Sequence, residues 1–256
     1  MTKSEKSAFS HSLPSPVHLL GGQGDGMAIY AIGDLHLSGY SDKPMDIFGD
    51  HWIGHENKIK ASWLEKVKEN DAVLIPGDIS WAMTLEKAMV DLEWISRLPG
   101  VKYLIRGNHD YWWKSITRLN SLFESMNFVQ NNSFIYKEYA ICGTRGWICP
   151  NDYKFTDHDK KIYLREANRL EMSLKSVKQH QGYKGIIAMM HYPPTNDRFE
   201  PSLFTETFER YNVDYVIYGH LHDEMSYGCG LQGTYNGVAY RLVSCDYINF
   251  ELVKIL

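Results

Sequence analysis

The sequence predicts an α/β fold of two sheets flanked by helices, with parallel and antiparallel strands mixed. Three observations carry this expectation. Short apolar runs alternate with helical patterns over the first half of the chain, which argues for parallel strands joined by right-handed crossovers. From Phe128 to Trp147 the character changes to short β-rich runs broken by Asn131-Asn132 and Gly143, which reads as hairpin structure in a second sheet. No internal repeat or linker divides residues 27–256, so one domain of two packed sheets is the simplest arrangement.

Residues 1–26 are rich in Ser, Gly, His and Pro and lack the continuous apolar region of a secretory signal. They read as a disordered leader or an added segment, with Met27 as the natural start. Ala28–Ile32 is the first strand. Ser38–His55, with Gly39, Pro44, Gly49 and Gly54, is too irregular for a regular element and reads as a long loop over the site. Glu56–Asn70 then places Ile59, Trp63, Leu64 and Val67 on one helical face. Strand Ala72–Ile75 leads to a helix over Thr84–Leu98, with Leu85, Ala88, Met89, Leu92 and Ile95 inward and Pro99-Gly100 as its stop.

Strand Val101–Ile105 completes a β-α-β-α-β series. A helix is expected over Lys114–Ser125, with Ile116, Leu119 and Phe123 inward, and strands over Phe134–Tyr136 and Tyr139–Cys142. The clearest helix is Asp159–Gln181, where Tyr163, Ala167, Leu170, Leu174 and Val177 recur at intervals of four and three before Gly182. Strands Gly185–Met190 and Val213–Tyr218 follow, with a short helix near Thr205–Arg210. The tail offers β-like runs at Gly237–Ser244 and Asn249–Ile255.

A chain of 256 residues is long enough for a substantial core. With 27 Lys plus Arg against 31 Asp plus Glu, its charge gives no general reason to expect nucleic-acid or anionic-membrane binding. No apolar run approaches a membrane span. Cys142, Cys149, Cys229 and Cys245 form no C-x-x-C pair and read as reduced and mostly packed, which favours a cytoplasmic location. The pattern carries no signal for oligomeric state.

Function is written in the residues that follow the apolar runs. Val101–Ile105 is followed by Arg106-Gly107-Asn108-His109-Asp110, and Ala28–Ile32 by Gly33-Asp34-Leu35-His36. Gly77-Asp78 follows Ala72–Pro76, His191 follows Ile186–Met190, and Gly219-His220-Leu221-His222 follows Tyr215–Tyr218. Singly, each has a plainer reading as a polar turn. In sheets wound by crossovers, however, ligands bind at the carboxyl ends of strands, so five such loops should meet in space.

Asp34, His36, Asp78, Asn108, His191, His220 and His222 are seven oxygen and imidazole donors, too many for one tetrahedral zinc and suited to two divalent ions. One aspartate should bridge them, because a carboxylate has two oxygens. Two cations sharing a hydroxide lower its pKa and neutralise a phosphate, so the donor set favours phosphoester hydrolysis. Mn, Fe or Zn are all compatible with mixed His, Asp and Asn ligation. In an extended segment, His220 and His222 would point the same way, with Leu221 packed behind.

The series D-x-H, G-D, G-N-H-[DE], H and G-H-x-H, in this order over Met27 to Leu256, resembles the calcineurin-like metallophosphoesterases. The resemblance implies a two-sheet sandwich with a dinuclear site. Asp34, His36, Asp78 and His222 would hold one ion, and Asp78, Asn108, His191 and His220 the other, with Asp78 bridging. His109 would be the acid-base histidine that protonates the leaving oxygen.

There are departures from the family pattern. Where phosphoprotein phosphatases of this family read G-D-x-x-D-R, this chain reads Gly77-Asp78-Ile79-Ser80-Trp81-Ala82, which removes a carboxylate behind the acid-base histidine and a phosphate-binding arginine. Asp110 either substitutes for that carboxylate or pairs with Arg106 to fix the loop; the ion pair is the preferred expectation. Trp81, Tyr111, Trp112, Trp113, Trp147 and Tyr192 crowd these loops. Core packing explains most of them, and the sharper reading makes Trp81 part of a stacking wall for a nucleobase or aryl group. Arg145 is a candidate phosphate clamp or a surface arginine. His51, His55, His158 and His180 lack the strand-end context and read as solvated or packed. The expected partner is a small phosphorylated substrate. The competing reading is a non-catalytic metal-binding or protein-interaction module on the same fold, and a nuclease finds little support in the acidic balance.

Overall fold

The computed structural model describes residues 27–40, 43 and 45–256; the expected leader lies outside them. β1 (Ile29–Ala31), β2 (Ala72–Ile75) and β3 (Val101–Leu104) are parallel neighbours. They are linked by α1 (His55–Lys66) and α2 (Leu85–Ser96), as the β-α-β-α-β pattern requires. Their side chains alternate between two cores. Ala72 and Leu74 face the interior between the sheets, whereas Val73 and Ile75 face the core that holds Ile59 and Trp63 of α1 and Leu92 of α2.

The loop after β1 is more ordered than expected, with 3₁₀ turns at Met45–Phe48 and Asp50–Trp52 and with Met45 and Trp52 buried. Leu64 corrects the expected α1 face, being 56% exposed. The helix expected over Lys114–Ser125 shrinks to α3 (Ile116–Leu119). Its physical reason is Asn120, whose side chain accepts from Phe128 N at 2.7 Å and donates to Phe128 O at 3.1 Å, diverting the chain toward a strand. That strand, β4 (Met126–Phe128), is the edge of the first sheet and was not expected.

The second sheet starts with the expected hairpin, β5 (Phe134–Tyr136) against β6 (Tyr139–Thr144). α4 (Asp157–Val177) is opened by a reciprocal cap between Thr156 and Asp159, and it buries Leu170, Leu174 and Val177 on the sheet's outer face. β7 (Gly185–Met190), α5 (Leu203–Arg210) and β8 (Tyr215–Tyr218) follow, with β6, β7 and β8 parallel. A short α6 (Glu224–Tyr227) and β9 (Gly233–Tyr235), neither expected, precede β10 (Val238–Leu242).

Of the run Asn249–Ile255, only β11 (Val253–Lys254) is strand, because Asn249 and Phe250 adopt left-handed backbone with φ of 54° and 61°. The strand orders are β11-β1-β2-β3-β4 and β5-β6-β7-β8-β10-β9. Apolar side chains such as Ile29, Leu74, Ile187 and Ile217 fill the space between the sheets. All four cysteines are free, and three are buried. No helix among the described residues is long and apolar enough to cross a membrane.

Candidate metal centre

Asp34 and His36 follow β1, Asp78 follows β2 and Asn108 follows β3, while His191 follows β7 and His220 and His222 follow β8. Packing the two sheets brings these carboxyl ends to one edge. Ligand atoms of Asp34, His36 and His222 lie within 4.8 Å of one another, as do those of Asp34, Asp78 and His191. Asp78 Oδ2 is 3.8 Å from His36 Nε2 and 3.4 Å from His191 Nε2, so both aspartates stand between the two groups. Asn108 Oδ1 and His220 Nδ1 join the second group, 2.7 Å and 3.2 Å from His191 Nε2.

Backbone geometry at these loops is unusual. Asp34, His36, Asp78 and His220 have φ of 57°, 45°, 50° and 76°, a left-handed region that costs a non-glycine residue free energy and clusters at functional sites. Two glycines make the close approach possible. A Cβ on Gly107 would overlap Asp78, and one on Gly219 would overlap the Asp34 carboxylate.

Hydrogen bonds set which nitrogen each ring presents. His191 Nδ1 lies 3.1 Å from the carbonyl oxygen of Pro76, which can only accept, so Nδ1 carries the proton and Nε2 turns a lone pair inward. His222 Nδ1 is 3.0 Å from Asp246 Oδ1, leaving its Nε2 3.3 Å from His36 Nε2. His36 is held by its neighbours' rings, and its Nδ1 is buried with no hydrogen-bond partner among the described residues.

The electrostatics point the same way. Burial lowers His36 and takes His191 and His220 down to about 3, keeping all three in the neutral, ligating form. Burial, with the charges of Asp110 and Asp34, pushes Asp78 well above the usual carboxylate range. Burial pulls His222 down, but Asp246 and Asp34 outweigh it and raise the imidazole to about 10. A proton is thus drawn to a spot where acidic groups outnumber cations. Converging lone pairs, neutral imidazoles and crowded carboxylates fit divalent cations of the Mn, Fe or Zn type.

The family model for calcineurin-like phosphoesterases matches residues 27–224. The chain belongs to this family. Among solved structures, the AQ665 protein of Aquifex aeolicus, described as of unknown function, is similar at 17% identity and a TM-score of 0.51, over 90% of this chain and 96% of that one. The TT1561 protein of Thermus thermophilus is similar at 13% identity and a TM-score of 0.56, over 89% and 97%. At these identities the likeness concerns the fold. No curated protein sequence matches this one. Family membership and the Asp/His groups together support a metal-dependent phosphoesterase.

Within this member of the family, the other expected residues fall in different places. His109 stands at the centre, its Nε2 4.0 Å from Asp78 Oδ2 and its backbone N donating to Asp78 Oδ1 at 2.8 Å. Asp110 does not pair with Arg106. It is fully buried and accepts from the backbone N–H of Gly107, Ile79 and Ser80 and from Trp112 Nε1, so it ties the loop after β3 to the loop after β2. Burial, outweighing those hydrogen bonds, raises its carboxyl to about 6.

Trp81 stacks on His36 with centroids 4.9 Å apart and packs on His109 at 4.4 Å, and it faces the adjoining cleft. The Arg145 guanidinium pairs with Glu166, 3.3 Å away, and stacks over Trp147, while its backbone carbonyl accepts from His191 N and Tyr192 N. Trp112 and Trp113 are core, and Tyr192 packs on His220 at 4.0 Å.

Sequence reasoning missed Asp246, which holds His222 and accepts from Tyr227 Oη at 2.8 Å. Its signal was present, since Asp246 follows the β10 run as the other site residues follow theirs. His51 is solvent-exposed, as expected, and lines the cleft beside the buried Trp52. His55 and His180 are packed, bonded to Leu35 O and Ser133 Oγ.

Proposed function

We propose that this protein hydrolyses a small phosphomonoester or phosphodiester with two divalent ions held by Asp34, His36, Asp78, Asn108, His191, His220 and His222. The observation that carries this reading is the convergence of seven oxygen and imidazole ligand groups from five strand ends, with the two aspartates between the groups. When bound, such ions supply Lewis acidity toward a phosphoryl group and lower the pKa of water.

The chain's own residues do the rest. His109, half-exposed at the inner end of the cleft, is placed to give a proton to the departing oxygen. Trp81 fixes the rings of His36 and His109, and Asp110 holds the loops that carry Asp78 and Asn108. Asp246 orients His222. Arg145, paired with Glu166, is not assigned a phosphate-binding part. A cytoplasmic setting, in keeping with four free cysteines, belongs to this reading.

The test is hydrolysis of p-nitrophenyl phosphate and bis-p-nitrophenyl phosphate by protein stripped of metal and resupplied with Mn²⁺, Fe²⁺ or Zn²⁺. Turnover restored by metal and lost in Asp78→Asn supports the hydrolase, and the substrate ratio separates monoesters from diesters. Metal binding without turnover would favour the non-catalytic module.

A further inference from the structure

His36, His109 and His222 form one end of a cleft of about 750 Å³, within the roughly 300–1,000 Å³ range of sites that enclose a small molecule. A phosphoryl group seated at the centre therefore leaves its organic substituent in this cleft. The wall is aromatic: Phe48 and Trp81 line it from the loops after β1 and β2, Tyr227 from α6, and Tyr247 from the segment after β10. Next in sequence to the lining residues Phe48 and Glu224, Ile47 and Met225 are exposed apolar side chains, at 74% and 88%.

Charge narrows the choice. Asp223, Glu224 and Asp246 line the cleft, and no Lys or Arg does among the described residues. Lys43 stands 4.6 Å over the Trp81 ring, a cation already engaged with an aromatic face. Grooves that hold polyphosphates or single-stranded nucleic acid carry cations along their length, and here acidic groups would repel such chains.

We infer that the ester's organic group is a flat aromatic ring without negative charge, held against Phe48, Tyr227 and Tyr247, and that polyanionic chains are excluded by the acidic rim. This inference rests on the phosphoesterase reading, because it takes the cleft as the seat of the ester's substituent.

Calorimetric titration of the Mn²⁺-loaded protein with phenylphosphonate, cyclohexylphosphonate and methylphosphonate tests it without requiring turnover. Phenylphosphonate should bind at least about tenfold more tightly than methylphosphonate and severalfold more tightly than cyclohexylphosphonate, as expected of ring stacking. Phe48→Ala and Tyr247→Ala should each weaken the phenyl compound more than the methyl one. A fluorescein-labelled oligothymidylate should show no binding at low salt. Equal affinity for phenyl and methyl, cyclohexyl binding as tight as phenyl, oligonucleotide binding, or no binding of any phosphonate would overturn the inference. Aryl preference without nitrophenyl ester turnover would remove the hydrolase reading and leave the cleft assignment standing; turnover without aryl preference would do the reverse.

Discussion

His191 Nε2 and Asn108 Oδ1 face each other at 2.7 Å, two acceptors with no proton between them once Nδ1 is committed to Pro76. A cation removes that conflict. Mn²⁺ or Zn²⁺ at about a hundredfold excess over its Kd should stabilise the fold by about 2.7 kcal/mol. At roughly 2–4 °C per kcal/mol for a chain this size, Tm should rise by about 5–10 °C and fall back with chelator. Thermal scans with and without metal check this, and Asn108→Ala should shrink the gain.

Asp78→Asn should separate stability from function. Buried near Asp34 and Asp110, the Asp78 carboxyl is held well above its unfolded value of about 3.9, so its ionisation costs the metal-free fold stability at neutral pH. The amide keeps the bond from His109 N and removes the charge. Metal-free Asp78→Asn should melt above the parent at pH 7. The gap should close as pH falls through the raised value toward 3.9, where protonation does what the amide does. Scans across pH test the sign, and the same variant should gain less from added metal.

Asp246→Asn should weaken metal binding by about 10–100-fold, because it takes a charged acceptor from the ring nitrogen that orients His222. Tyr227→Phe should do so less. Competition with a chelating indicator measures both.

Asp110→Ala should be the most destabilising change at the site. Three backbone N–H groups and the Trp112 indole lose their acceptor in a fully buried place. At roughly 1 kcal/mol or more for each of the four orphaned donors, the cost is about 4 kcal/mol or more, and Tm should fall by about 8–16 °C. Arg106→Met should cost much less, since Arg106 makes no ion pair with it.

His109→Asn should slow alkyl phosphates far more than nitrophenyl esters, because only the poor leaving group needs a proton, by about 10²–10⁴-fold. Leaving-group dependence of kcat/KM reads this; equal losses would make His109 a positioning residue.

What the sequence determined by itself was the order of the main strands and helices and the residues that end the strands. The unbroken apolar run Ala72–Ile75 and the spacing of four and three in α4 are local facts, and so is the polar residue after each apolar run. Tertiary structure decided what depends on distant partners. Asn120 ends α3 only because Phe128 is there to bond it. Asp110 turns to the backbone of Ile79 and Ser80 and away from Arg106, which adjacency in the chain had favoured. Arg145 goes to Glu166, which no motif links to it. Trp52 and Phe250 pack at 5.1 Å, closing the loop after β1 onto a tail that sequence alone reads as strand. Side-chain direction and burial are set by long-range packing, and a linear pattern carries only their local half.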